Sequence, residues 1–214
     1  MEIKEIKEIN YVCSLGSLCH SAFLLKRNNL KVESFPFDWI FSDPDMVIQC
    51  VVNEFNIFLD KSYYTITSEI QRGHVLYGSN IFFHHNPLKN EDDYNYYLRC
   101  VDRFNILLKK TEPKLFVMIF INNDHGSRLE KFKNSIIEFN NKFKKYTENY
   151  NLLVIIQFPT TDNNHHSFTY IDNIHFLDLY TSSNSNGILF LKKNDNQYLD
   201  NIIKNTYKFN IKKL

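Results

Sequence analysis

The chain has 214 residues and a formal net charge of +1, with 25 Lys and Arg against 24 Asp and Glu. That balance leaves no basic footprint for nucleic acid, and a composition of 43% hydrophobic and 15% aromatic residues can fill a core in one α/β domain over 1–214. Only five Gly and five Pro exclude a low-complexity chain, and no apolar run approaches the ~18 residues of a membrane span.

The four cysteines, Cys13, Cys19, Cys50 and Cys100, form no CxxC pair, so free thiols in a reducing cytoplasm are expected. The opening segment Met1–Ile9 alternates charge with isoleucine, unlike a signal peptide. Richness in Asn, Lys, Ile and Tyr is that of an AT-rich genome.

In chain order, the apolar run Asn10–Leu15 predicts a strand. Ser17–Asn29 predicts a helix whose apolar face is Phe23, Leu24, Leu25 and Leu30. Lys31–Phe35 predicts a second short strand, and Pro36-Phe-Asp-Trp39 interrupts it as a turn. Asp43 as N-cap and Pro44 at the first helical position predict a helix over 44–55. Residues 63–86 read as inserted β structure: Tyr64–Thr67, His74–Tyr77, a Gly78-Ser-Asn hairpin turn, then Ile81–His85. Glu91–Lys110 carries Tyr94, Tyr97, Leu98, Val101, Phe104, Leu107 and Leu108 at helical spacing. Leu115–Ile121 is apolar without alternation, the pattern of a strand buried on both faces of a parallel sheet. Arg128–Tyr150 predicts an amphipathic helix and Leu152–Ile156 another buried strand. Ile174–Leu179 and Gly187–Lys192 predict two short strands, Asp195–Phe209 a closing helix, and Thr160–Ser167 and Thr181–Asn186 loops. Strands alternating with helices predict a mainly parallel, three-layer sheet, Rossmann-like or SGNH-like, with helices on both faces and an inserted hairpin.

The candidate chemistry gathers where the first strand meets the first helix. Cys19 falls near that helix's N-terminus, where unpaired amides and the macrodipole favour a thiolate. A lone cysteine is more often a small buried hydrophobe. His84 and His85 end an apolar run, and strand alternation would send one inward and the other out. His74 could pair across the hairpin. His20 adjoins the thiol but points elsewhere around the helix. Asp38 beside Trp39 could orient a histidine or simply cap a turn. Ser17 is the rival nucleophile of an SGNH-type reading, with Asp162-Asn-Asn-His165 or Asp172-Asn-Ile-His175 as its late Asp-x-x-His. Arg99 and Arg103, one turn apart, could hold an anion or form a solvated face. Ligands of open α/β sheets lie beyond the carboxyl ends of the strands. Gly16, Ser17, Trp39, Asn122, Asp124 and His125 are therefore the candidate substrate contacts. No third ligand stands at a metal spacing from the paired histidines, so no metal is expected.

Ser14-Leu-Gly-Ser-Leu-Cys19, Phe35-Pro-Phe-Asp-Trp39, Phe83-His-His85 and Arg99 with Arg103-Phe104 resemble the ordered motifs of a bacterial and viral family labelled "putative papain-like cysteine peptidase". The resemblance runs from residue 11 to about 125. It implies Cys19 as nucleophile, His85 or His84 as base and Asp38 as orienting acid. Asn86 stands where that family often has Asp, and the arginine pair is one residue wider than its pattern. The same opening is more weakly similar to the GSCFA proteins of SGNH type. The family label implies a papain-like fold, whereas the element order predicts a parallel sheet.

The expected function is acyl transfer by a cysteine thiolate and a histidine base, as a hydrolase. The alternatives are a sugar or nucleotide-sugar N- or O-acyltransferase, with acetyl-CoA as donor, an esterase using Ser17, and a non-enzymatic sugar- or phosphate-binding module. The acyltransferase follows from the sugar-modifying company that members of the resembled family keep. A small-molecule, glycan or peptide substrate is expected, without a cofactor otherwise, and without nucleic acid or membrane as partner.

Overall fold

The computed structural model describes residues 8–66, 72–78, 81–82, 84–123, 128–160 and 163–214. Strand β1 (Tyr11–Gly16) leads into helix α1 (Cys19–Arg27). Helices α2 (Pro44–Val52) and α3 (Asn56–Leu59) precede the short strands β2 (Tyr64–Ile66) and β3 (Arg72–His74). Then come α4 (Glu91–Leu108), β4 (Lys114–Phe120), α5 (Arg128–Phe143), β5 (Tyr150–Pro159), β6 (His165–Ile171), β7 (Ile174–Thr181) and α6 (Lys193–Thr206). The main sheet has the order β1-β4-β5-β7-β6, parallel throughout except for β6, which is antiparallel to β7.

The central strands β4 and β5 are buried on both faces, and strand alternation divides the core in two. Phe116 and Met118 of β4 and Leu152, Val154 and Ile156 of β5 face one layer with α2, α3, α4 and α5. Leu115, Val117 and Ile119 of β4 and Leu153 and Ile155 of β5 face the other, with α1 and α6. This is a three-layer α/β fold. Among the described residues no helix is long and apolar enough to cross a membrane.

Phe104 of α4 is the hub of the first layer, with edge-on ring contacts to Phe35, Phe37, Phe55 and Phe116. Phe35 and Phe37 plug the Pro36–Trp39 turn into that hub. Burying each such ring stabilises by about 2–3 kcal/mol, which pins the intervening Asp38 and its neighbour Trp39.

Several elements depart from the sequence expectation. Lys31–Phe35 is irregular rather than a strand, because Lys31 folds onto Asp38 and the Glu33 carbonyl. The hairpin pairs β2 with β3, Tyr64 opposite His74, and turns back at 75–78 through His74 and Gly78. Ile81 and Phe82 form no strand: both are buried plugs, tied to the hairpin by the Phe82 amide donating to the Arg72 carbonyl. Ser79, Asn80 and Phe83 lie outside the described residues. Gly187–Lys192 is likewise not a strand, although Ser185 and Phe190 make one isolated bridge. Part of the expected loop at 160–167 belongs to β6. That strand's His-His-Ser-Phe-Thr-Tyr-Ile is largely exposed, so no apolar pattern marks it. Helix α5 ends at Phe143, and Tyr150 opens β5 instead of closing the helix.

Candidate active site

Strand β1 ends in a bulge at Gly16, whose φ of +87° suits glycine. A Cβ there would lie 1.8 Å from Ser42 Oγ and 3.3 Å from the Phe37 carbonyl. The turn therefore passes directly against the segment that carries Asp38 and Trp39. Hydroxyls stitch it down: Ser17 donates to the Ile119 carbonyl at 2.8 Å, Ser42 to the Leu15 carbonyl, and Ser21 to the Gly16 carbonyl. Ser14 lies 2.6 Å from the Ser21 hydroxyl and accepts from the Gly16 amide. These bonds aim the start of α1. Its N-cap is Leu18, which has no side-chain acceptor, so no side chain caps the first-turn amides from that position.

Cys19 is the first helical residue, and its Sγ lies 3.8 Å from His84 Nε2. The thiol is 9% exposed and His84 is exposed, so the pair stands at the surface. The Trp39 ring meets the His84 ring edge-on, with centroids 6.1 Å apart. Burial raises the Cys19 pKa, the thiol's own backbone amide opposes this, and the Asp38 charge adds to it. Burial lowers the His84 pKa, as does neighbouring His85. Both shifts favour a neutral thiol beside a neutral imidazole.

His85 is engaged elsewhere. Its Nδ1 lies 3.0 Å from Asp93 Oδ1, and its ring stacks on Tyr96. The second oxygen of Asp93 accepts from the Asn86 amide at 2.7 Å. Burial opposes ionisation of Asp93, but the Asn86 amide, His85 and Arg72 together hold its carboxyl below the usual range. The first turn of α4 thus clamps the segment 84–86 that delivers His84. Asp93 was hidden in the sequence among Glu91-Asp-Asp93, where acids ordinarily serve the helix dipole. His74 serves the hairpin: buried, it contacts the Ile57 carbonyl through Nε2 and accepts from the Leu76 amide.

Asp38 is fully buried, and Oδ2 accepts from Lys31 Nζ and from the Phe35 amide at 2.8 Å. Burial raises its pKa, while Lys31 and the Phe35 amide pull it down. It holds the 31–38 segment in place. Asp38→Asn leaves the Lys31 ammonium buried without its counter-charge, and is expected to cost about 3 kcal/mol. Urea denaturation measures this loss. A variant of unchanged stability would mean that the ion pair contributes nothing net.

Asn122 stands just past β4, in the left-handed region at φ +55°. Its side chain is spent on the fold, donating to the Ser185 carbonyl and accepting from the Ser185 amide. Its amide donates to Gln157 Oε1, whose Nε2 in turn donates to Thr181. His20 completes this lattice over the carboxyl ends of the strands, with Nδ1 3.0 Å from Ser185 Oγ. Gln157 and Ser185 stand in segments without a recognisable motif, and the sequence reading missed them. Asp124 and His125 lie outside the described residues, as does Asp162. His165 stacks on Tyr180, while Asp172 pairs with Lys144 and His175 contacts Tyr207. Asp172 and His175 stand at the amino end of β7, the end of the parallel sheet away from Ser17. Among the described residues no group of three or more His, Cys, Asp or Glu could hold a metal ion.

The family model described as "Putative papain-like cysteine peptidase (DUF1796)" matches residues 10–158. That span contains the β1–α1 turn, the Pro36–Trp39 turn, His84 and Asp93. The family's description names a cysteine peptidase, a hydrolase. No curated protein and no solved structure matches. With about two thirds of its length inside this match, and the Cys19 turn inside it, the chain belongs to the papain-like cysteine peptidase family so described.

Proposed function

We propose that the protein is an acyl-transfer enzyme in which Cys19 is the nucleophile and His84 its general base, with water as acceptor. The observation that carries this is the thiol at the first position of α1, 3.8 Å from an imidazole nitrogen. In the first step His84 Nε2 takes the thiol proton as Sγ attacks the substrate carbonyl carbon. The carbonyl π electrons move to oxygen, and the developing oxyanion faces the first-turn amides of α1. Collapse expels the leaving group, which takes the proton from His84, and a thioester remains on Cys19. Water, deprotonated by His84, then releases the acid and regenerates the thiol.

His85 and Asp93 are positioning residues in this scheme, and Asp38 holds the turn that bears Trp39. Ser17 is disfavoured as nucleophile because its hydroxyl is committed to Ile119. Incubation with p-nitrophenyl acetate should give a burst of nitrophenol and an acetyl adduct that peptide mapping locates on Cys19. Added amino sugar should leave the yield of acetate unchanged. Capture of most of the acyl group by the amine would replace hydrolysis with transfer, and an adduct on Ser17 would overturn the thiol mechanism.

A further inference from the structure

A concavity of about 590 Å3 opens against Trp39, the residue whose ring meets that of His84. It is walled by the end of α1, the 31–34 segment, one face of α4 and Lys213. Its lining holds five cationic side chains and a single carboxylate, although the chain as a whole is almost neutral. Three stretches far apart in sequence, 26–31, 99–103 and the chain's end at Lys213, bring those cations together.

Two of the cations are already engaged. Lys31 is held by Asp38, and Arg103 donates to the Ser34 carbonyl while lying 3.9 Å from Glu33. The other three, Lys26, Arg99 and Lys213, are exposed and make no ion pair among the described residues. Glu33, the one carboxylate of the lining, is occupied by Arg103 and by the Leu214 amide at 2.9 Å, a contact that keeps Lys213 on the rim. Arg99 and Arg103 are one turn apart on α4, where like charges repel. A bound anion would relieve that repulsion.

The far wall of the concavity is aromatic and reaches the reactive pair. Trp39 and Tyr96 line it, Trp39 meeting the His84 ring and Tyr96 stacking on His85. Cys19 itself is not in the lining, so the cations flank the chemistry without taking part in it. The volume falls within the ~300–1,000 Å3 usual for small-molecule sites.

We infer that this concavity binds the phosphate or diphosphate group of a small-molecule substrate, whose ring lies on Trp39 and whose reactive carbonyl is presented to Cys19. A single carboxylate needs one arginine fork, whereas three uncommitted cations match the multiple charges of a diphosphate. The placement of the carbonyl rests on the Cys19–His84 mechanism; the anion site stands on the pocket alone.

Calorimetric titration of the Cys19→Ala protein at low salt separates the two, because binding is then read without turnover. ADP and inorganic pyrophosphate should bind with a Kd of about 1 mM or tighter, adenosine should not, and added salt should weaken both. The double charge reversal Arg99→Glu with Lys26→Glu should weaken ADP by about tenfold or more, the loss of at least one charged hydrogen bond. The anion site is overturned if neither ADP nor pyrophosphate binds at about 5 mM. It is equally overturned if the reversal leaves the Kd unchanged, or if a short poly-glutamate peptide binds more tightly than ADP. Should ADP bind as expected while wild-type protein forms no acyl adduct on Cys19, the mechanism falls and the anion site remains.

Discussion

Iodoacetamide will alkylate Cys19 with a rate that climbs from about pH 6 to about pH 9 and shows no acid-side plateau. The thiol is raised by burial and the imidazole lowered by burial. A thiol raised above its usual value of about 8.5 yields more thiolate at every step in pH up to that raised value. A preformed thiolate–imidazolium pair would instead react at a constant rate down to acid pH. A plateau below about pH 6 would therefore refute the neutral pair. Cys13, Cys50 and Cys100 are at most 1% exposed against 9% for Cys19, so the reagent reaches Cys19 first. Cys19→Ala should abolish both native-state labelling and turnover of an acyl ester. His84→Ala should leave Cys19 alkylation at high pH intact but cut turnover by about 10²–10⁴-fold, the usual contribution of a positioned general base. His85→Ala should cost less, because it loosens the clamp on Asp93 without removing the base. If His84→Ala retained wild-type turnover and His85→Ala lost it, the roles of the two histidines would have to be exchanged.

The protein should lose stability steeply on the acid side, and His20 should account for a distinct part of that loss. His20 is fully buried, and burial, helped by the charge of Arg27, lowers its pKa to about 3. Its tautomer follows from the bonds of Ser185. That hydroxyl donates to the Leu189 carbonyl and accepts from the Gly187 amide, so it accepts from Nδ1–H of His20. Nε2 is then a buried lone pair without a partner among the described residues, and a proton placed there would find no acceptor among them. Unfolded histidine binds its proton near pH 6.5, at about 6.5 down to the folded value the unfolded state carries the extra proton, and stability falls as pH falls. The loss is about 1.4 kcal/mol per pH unit within that window and none above it. His20→Asn keeps a hydrogen-bonding group where Nδ1 stood and cannot titrate. Urea unfolding from about pH 7 to about pH 4 should show a shallower acid limb in the variant, whatever its stability at neutral pH. Identical slopes in the two proteins would mean that His20 is protonated in the folded state.

Parts of this molecule are legible from local chemistry. Strands β4 and β5 are unbroken apolar runs because both of their faces are covered, and such runs carry their own assignment. Helix α2 announces itself through Asp43, whose carboxylate accepts from the Met46 amide at 2.7 Å, and through Pro44 at the first turn. Gly16 and the small hydroxyl residues around it mark a tight turn, and a turn between strand and helix places Cys19 on the helix N-terminus. These features depend on neighbours a few residues away.

Other parts depended on distant neighbours. Strand β6 is an exposed edge strand, and only its ladder with β7 defines it. Lys31–Phe35 has the composition of a strand, but the buried Lys31–Asp38 pair pulls it out of any sheet. His84 and His85 could not be told apart by alternation, because the segment they occupy is not a strand. Asp93 on α4 holds His85, while His84 Nε2 lies 3.8 Å from Cys19 Sγ. The cations of the concavity, scattered from Lys26 to Lys213, read as ordinary surface charge until packing gathers them. Residue type and short spacing, then, were enough to determine the layers of the fold and to single out the β1–α1 turn with Cys19 and Ser17 as its candidate nucleophiles. Which histidine stands beside Cys19, what holds its neighbour and how the charged groove assembles were decided only by tertiary packing, because hydrogen bonds and charges act over a few ångströms in space, whatever the separation along the chain.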